Sequence, residues 1–117
     1  MRIMVTVVAL TLCLTYALGQ TAETPKGNAK NGEAIYMKTG CNQCHGNEGQ
    51  GGGAGPRLGP APMMAFKAFA SYVRAPRDQM PPYTVKVMSD QDLADIYAYL
   101  AARPRPPAVN TIPALQP

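Results

Sequence analysis

Three stretches of this chain carry apolar residues at helical spacing, and the segments between them hold too much glycine and proline to extend the pattern. In the first, Gly32, Ile35, Tyr36 and Thr39 fall at i, i+3, i+4 and i+7, one face of a helix. The spacing predicts a helix over Asn28 to Lys38, capped by Gly27 or Asn28 and ended by Gly40. Gly32 costs about 1 kcal/mol against Ala in mid-helix, and close approach by another helix would explain it. In the second stretch Phe66, Phe69, Ala70 and Val73 repeat the spacing, predicting a helix over Met63 to Ala75 that Pro76 stops. In the third, Ser89-Asp90-Gln91-Asp92 forms a capping box that starts a helix over Asp90 to Ala102. Leu93, Ile96, Tyr97 and Leu100 share its face, with Tyr99 at the margin, and Asp90, Asp92 and Asp95 suit the positive end of its dipole. No convincing strand and no internal repeat is visible, so the class is all-α.

Upstream, Arg2 precedes an apolar run over 3–18, with Ala17 and Gly19 as small residues at −3 and −1. This reads as a secretory signal peptide over 1–19, cleaved before Gln20. The run is shorter than the ~20 residues that span a bilayer comfortably, so no membrane span is expected after cleavage. Leu12 stands where a lipoprotein acylation site at Cys13 would want a small residue. The 117 residues suit one domain, placed at 20–102. A proline-rich tail follows at 103–117, of extended character through Pro104, Pro106, Pro107, Pro113 and Pro117. It is expected to lay Val109, Ile112 and Leu115 along the domain, the alternative being a disordered tail or one that reaches a partner. So small a chain buries a modest core and commonly needs a staple.

Charge adds little. Eleven Lys and Arg against seven Asp and Glu give +4, or +3 once Arg2 is removed. Such an excess can steer docking onto an acidic partner or simply keep the surface soluble. Aromatic residues are few and not interleaved with basic clusters, which leaves nucleic-acid binding without support.

The chemistry lies in Cys41-Asn42-Gln43-Cys44-His45. Two cysteines at i and i+3 with a histidine after the second is the pattern for covalent attachment of a c-type haem. On a helical turn both thiols lie on one side and can add to the two vinyl groups along one porphyrin edge. The next imidazole then projects to the iron. A structural zinc site would need four ligands, and beyond the leader this chain has two Cys and one His. A thioredoxin-like dithiol would want a βαβ setting, and a Cys41–Cys44 disulfide would close a very small, strained loop. The glycine-dense stretch 46–55 lacks the Gly-Lys-Ser/Thr and preceding strand of a phosphate loop. It reads as a loop that lets backbone pass close to something flat, stiffened by Pro56. Met80 stands before Pro81-Pro82, which hold it extended, as a weak thioether ligand would need.

In order, Gly32-x-x-x-Tyr36, CxxCH, Gly55-Pro56-Arg57-Leu58, a methionine before proline and Ala98-Tyr99-Leu100 resemble the class I cytochrome c family of small soluble bacterial monohaem electron carriers. The resemblance runs to about Ala102. It implies an all-α cytochrome c fold, three to four short helices and long loops wrapped around one covalent haem. It implies haem c bound through Cys41 and Cys44, and iron held by His45 and Met80. It also places Pro56, whose carbonyl would hold the other nitrogen of His45, and Leu58 among the haem-binding residues. Met63, Met64 and Met88 compete for the distal position, although Met63 and Met64 are expected to pack in the core. Gly32 and Tyr36 would cross the last helix near Ile96, Tyr99 and Leu100. The family implies a periplasmic carrier cycling Fe(II) and Fe(III) through a haem edge near Cys41 and Cys44. Its donor would be a dehydrogenase or quinol-oxidising complex, its acceptor an oxidase or reductase. A haem c subunit of an oxidoreductase complex is the alternative, followed by an open-site haem that binds small ligands. The proline-rich tail is extra to the family pattern.

Overall fold

The computed structural model describes residues 24–60 and 63–116; the leader proposed at 1–19 lies outside them. Four helices follow in order: α1 (Ala29–Lys38), α2 (Cys41–His45), α3 (Phe66–Arg74) and α4 (Asp90–Ala101). Two 3-10 turns, Val109–Thr111 and Pro113–Leu115, come after them. Among the described residues there is no strand, and no helix is long and apolar enough to cross a membrane.

Local chemistry sets the helix ends. The Asn28 side chain accepts from the Lys30 and Asn31 amides at 3.1 and 3.2 Å, pairing two of the orphan donors at the start of α1. Both halves of the capping box form at α4: Asp92 N donates to Ser89 Oγ at 3.1 Å, and Ser89 N to Asp92 Oδ2 at 2.8 Å. α3 is shorter than its apolar pattern predicts, starting at Phe66 rather than Met63. Ala65 at its start is extended, with φ −56° and ψ 145°, and has no side-chain cap. At the other end Pro76 drives Ala75 out of the helical region, to φ −138° and ψ 69°.

The core forms where α1 crosses α4. Tyr36, Leu93 and Leu100 are wholly buried, with Ile96, Tyr99 and Met88 beside them. Gly32 sits at the crossing. A Cβ there would overlap the Asp95 carbonyl and come within 2.8 Å of Ile96 N, so the two backbones approach as only a residue without a side chain allows. One turn on, the Tyr36 and Tyr99 rings pack with centroids 5.5 Å apart. Polar bonds lock the same crossing. The buried Asp95 carboxylate accepts from Asn28 N at 2.8 Å, Asn31 Nδ2 at 2.7 Å and Gln91 Nε2 at 2.8 Å. Burial opposes its charge, but these three donors outweigh burial and hold its carboxyl below the usual value of 3.8. α3 lies on the other side of α4, where Phe66 and Phe69 meet Tyr97 edge-on at 5.5 and 5.4 Å.

Two expectations need correction. Met63 packs against the core, but Met64 is 52% exposed, because it precedes the start of α3 and so falls outside the helical register that would turn it inward. The tail does not wrap the domain. Val109 and Leu115 are 67% and 58% exposed, and the two 3-10 turns bond to themselves, Thr111 N to Ala108 O and Gln116 N to Pro113 O. Its prolines remove the amide donors with which an extended segment would pair to the body.

Candidate haem-attachment site

α2 is a single short helix that starts at Gly40, in left-handed conformation at φ 80°. It places Cys41 half-buried and Cys44 exposed one turn apart. No disulfide joins them. Thr39 Oγ lies 3.4 Å from Cys41 Sγ. In the chain before attachment, burial pushes the Cys41 thiol above its ordinary 9.0, with the Thr39 contact working against that. His45 closes the helix and is 93% shielded from solvent, at 7% exposure. Its Nδ1 is 2.8 Å from the carbonyl of Pro56. A carbonyl can only accept, so Nδ1 carries the proton and Nε2 keeps its lone pair for a metal. Gly55 makes this contact possible. A Cβ there would stand 2.8 Å from His45 Nδ1 and 2.8 Å from the Cys44 carbonyl, and would push the Pro56 turn off the ring.

The loop that carries Pro56 is pinned from the core. Tyr36 Oη donates to Gly46 O at 2.8 Å and Tyr99 Oη to Asn47 O at 2.7 Å, so the paired tyrosines of the crossing hold the two residues after His45. Burial, then the nearby Cys41 and Tyr99, raises the Tyr36 phenol well above its ordinary value, and it stays a donor. Gly51 N to His45 O and Leu58 N to Gly49 O, both 2.8 Å, fold the loop back on itself. Arg103 covers the far face of Tyr99, its guanidinium carbon 4.7 Å from the ring centroid.

Leu58 and Met80 are both half-buried and packed against the core cluster. Of the competing methionines, Met88 is spent in the core at 1% exposure and Met64 faces water. Asp78, left-handed at φ 62°, turns the chain just before Met80, and Pro81-Pro82 stiffen it just after. Cys41, Cys44, His45, Pro56, Leu58 and Met80 thus stand on three segments around one body. The hydroxyl bonds of Tyr36 and Tyr99 and the Asp95 network have no signal in the sequence. Helical spacing puts Tyr36 on the apolar face of its helix and Tyr99 only at the margin of its own, and nothing in it shows where a hydroxyl points.

These residues fit a haem c. Two thiols share one turn, the adjacent buried imidazole is fixed with one nitrogen open, and a glycine leaves room for its carbonyl anchor. Among the described residues no three His, Cys, Asp or Glu side chains gather to hold a metal ion, so a single imidazole would need the macrocycle to supply the other donors. The fold and the motif define a monohaem c-type cytochrome domain. A family model described as "Cytochrome C oxidase, cbb3-type, subunit III" matches residues 27–100, and the chain belongs to that cytochrome c family. It carries one haem c with its iron, covalent through Cys41 and Cys44. It is also similar to cytochrome c-555 of Methylococcus capsulatus, 31% identical over 85 residues. That match takes in 72% of this chain and 66% of the relative, so the chain spans just under two thirds of the relative's length. No solved structure matches the chain.

Proposed function

We propose that this protein carries single electrons between redox proteins outside the cytoplasmic membrane, with His45 and Met80 as the residues that would hold the iron of its haem. The observation that carries the reading is the His45–Pro56 contact at 2.8 Å. It sets the tautomer and orientation of the proximal imidazole and raises its basicity, as hydrogen bonds behind a ligand do. When bound, the haem supplies a one-electron Fe(II)/Fe(III) couple whose potential Met/His ligation raises. The protein contributes rigidity and exclusion of water. Cys41 and Cys44 fix the porphyrin edge, Pro56 holds the imidazole plane, and the apolar wall with Leu58 keeps solvent from the iron. Held rigidly, His45 and Met80 would keep the same contacts to the iron in either oxidation state, so little would reorganise on electron transfer. Cys44 is exposed, which leaves the attachment edge at the surface where a partner can reach it. The mild basic excess favours an acidic face on that partner. Donors are a dehydrogenase or quinol-oxidising complex, acceptors an oxidase or reductase. Export to a bacterial periplasm rests on the leader read at 1–19, and N-terminal sequencing of exported protein tests it: a start at Met1 overturns it.

Met80→Ala in the holoprotein is the decisive variant. It is expected to lower the reduction potential, remove the weak far-red band of methionine-to-iron ligation and let carbon monoxide bind the ferrous form. An unchanged potential and spectrum would remove Met80 from the site. The matching family is described by an oxidase subunit, which favours permanent membership of an oxidase complex as the second reading. Native-gel analysis of gently solubilised membranes separates the two, since a carrier runs alone and a subunit runs with the complex.

A further inference from the structure

The segment between α3 and α4 carries Met80 and is closed at its neck by polar bonds. Tyr83 N donates to Val73 O at 3.1 Å. Arg74 Nη1 donates to Tyr83 O at 2.9 Å and to Met88 O at 2.6 Å, while Nη2 pairs with Asp90 Oδ1 at 2.6 Å. One guanidinium thus joins the end of α3 to the returning arm of the loop, at Tyr83 and Met88, and to the start of α4. Its forked donors allow this, and a lysine could not reproduce the geometry. The Arg74 side chain is 20% exposed and that of Asp90 79%, so the two carbonyl bonds matter more than the water-facing ion pair. Tyr83 adds a second tether. Its Oη donates to Thr39 O at 2.9 Å, two residues before Cys41. Burial raises this phenol above its ordinary 10.0, so it remains a donor across neutral pH. From Arg77 to Pro82 only Met80 is not exposed, and Val85 and Val87 beyond it are 62% and 67% exposed.

We infer that Arg74 and Tyr83 are positioning residues for Met80, fixing its place relative to the CxxCH turn and resisting its withdrawal from the iron. This rests on the reading of Met80 as distal ligand. A thioether is a weak donor, and it stays bound only if swinging the loop away costs free energy. The bonds at the neck, which tie the loop to α3 and to the residues before Cys41, contribute to that cost.

Imidazole binding to the ferric holoprotein reads the cost directly. Imidazole replaces the sulfur on the iron with no change of oxidation state, and the far-red band reports the loss. Loss of one neutral hydrogen bond in Tyr83→Phe is expected to strengthen imidazole binding about fivefold, and loss of the charged bonds in Arg74→Gln about tenfold or more. Asn31→Ala, which removes a bond to Asp95 at the α1–α4 crossing, should lower the melting temperature without changing imidazole affinity. If Met80→Ala leaves the far-red band intact, the ligand reading itself fails. If Met80→Ala opens the iron while Tyr83→Phe and Arg74→Gln both bind imidazole like the parent, the positioning role alone is refuted. An Asn31→Ala effect as large as that of Tyr83→Phe also refutes it, by showing general loosening. Should Arg74→Gln not fold, Tyr83→Phe carries the test, since it deletes one oxygen and leaves the ring in place.

Discussion

Gly32→Ala separates the helix crossing from simple helix propensity, because the two predict opposite signs. By propensity, Ala in place of Gly inside α1 should stabilise the protein by about 1 kcal/mol. At the crossing, the new Cβ would overlap the carbonyl of Asp95 and stand 2.8 Å from Ile96 N. These are main-chain atoms of a helix and cannot rotate away, so α1 and α4 must separate by roughly the overlap, on the order of 1 Å, which is a severe case of overpacking. Such overpacking costs typically 1–3 kcal/mol and occasionally more, roughly 3 kcal/mol here because backbone opposes backbone. The separation would also stretch the bonds of Asp95 to Asn28 and Asn31, now 2.8 and 2.7 Å. The expected net loss is about 2 kcal/mol, or a fall in melting temperature on the order of 10 °C for a domain of this size. Guanidinium unfolding of the holoprotein, followed by far-ultraviolet circular dichroism and by the Soret band, measures it. Ala34→Gly at an exposed position of the same helix is the reference, expected to lose about 1 kcal/mol from propensity alone. A Gly32→Ala protein as stable as the parent, or more stable, would show that the helices do not meet at this point.

Asp95→Asn should lose about 2 kcal/mol at pH 7, since a charged acceptor of three hydrogen bonds becomes a neutral one. Because Asp95 titrates lower folded than unfolded, its contribution is complete above the unfolded value near 3.8 and fades as pH falls through the folded value. The gap between parent and variant, measured by denaturant titration, should therefore close in acid, and a gap constant down to pH 2 would refute the account. Gly55→Ala should push the Pro56 carbonyl off His45 Nδ1, make the imidazole a poorer donor and raise the reduction potential, as spectroelectrochemistry would show. Removing residues 104–117 should leave stability within about 0.5 kcal/mol of the full chain, because Val109 and Leu115 are exposed. A larger loss in the same denaturant assay would mean that the tail packs on the domain.

Much of the local structure is legible in sequence because its causes are local. Ser89 and Asp92 cap each other within one turn, Asn28 caps its own helix, and Pro76 stops α3 one residue later. CxxCH is equally self-contained: five consecutive residues place two thiols and an imidazole whatever surrounds them, and they name the cofactor. α3 began later than its apolar pattern implies because periodicity marks a face, whereas the first turn depends on a cap that Met63 to Ala65 do not provide. The tail misled for a related reason. Val109, Ile112 and Leu115 are apolar, but apolar character alone does not bring a proline-rich segment against a body that offers it no hydrogen bonds.

The sequence by itself determined the helices and the covalent haem, and it singled out Met80 as the expected partner for His45. Tertiary structure alone decided what holds these pieces in register. It set Gly32 against Asp95, aimed the hydroxyls of Tyr36 and Tyr99 at the residues behind His45, and closed the Met80 loop through Arg74 and Tyr83. Each of these contacts joins residues of segments far apart in the chain. Helical spacing shows which way a residue faces, but the partner it meets depends on how distant segments cross, and only the folded chain specifies that.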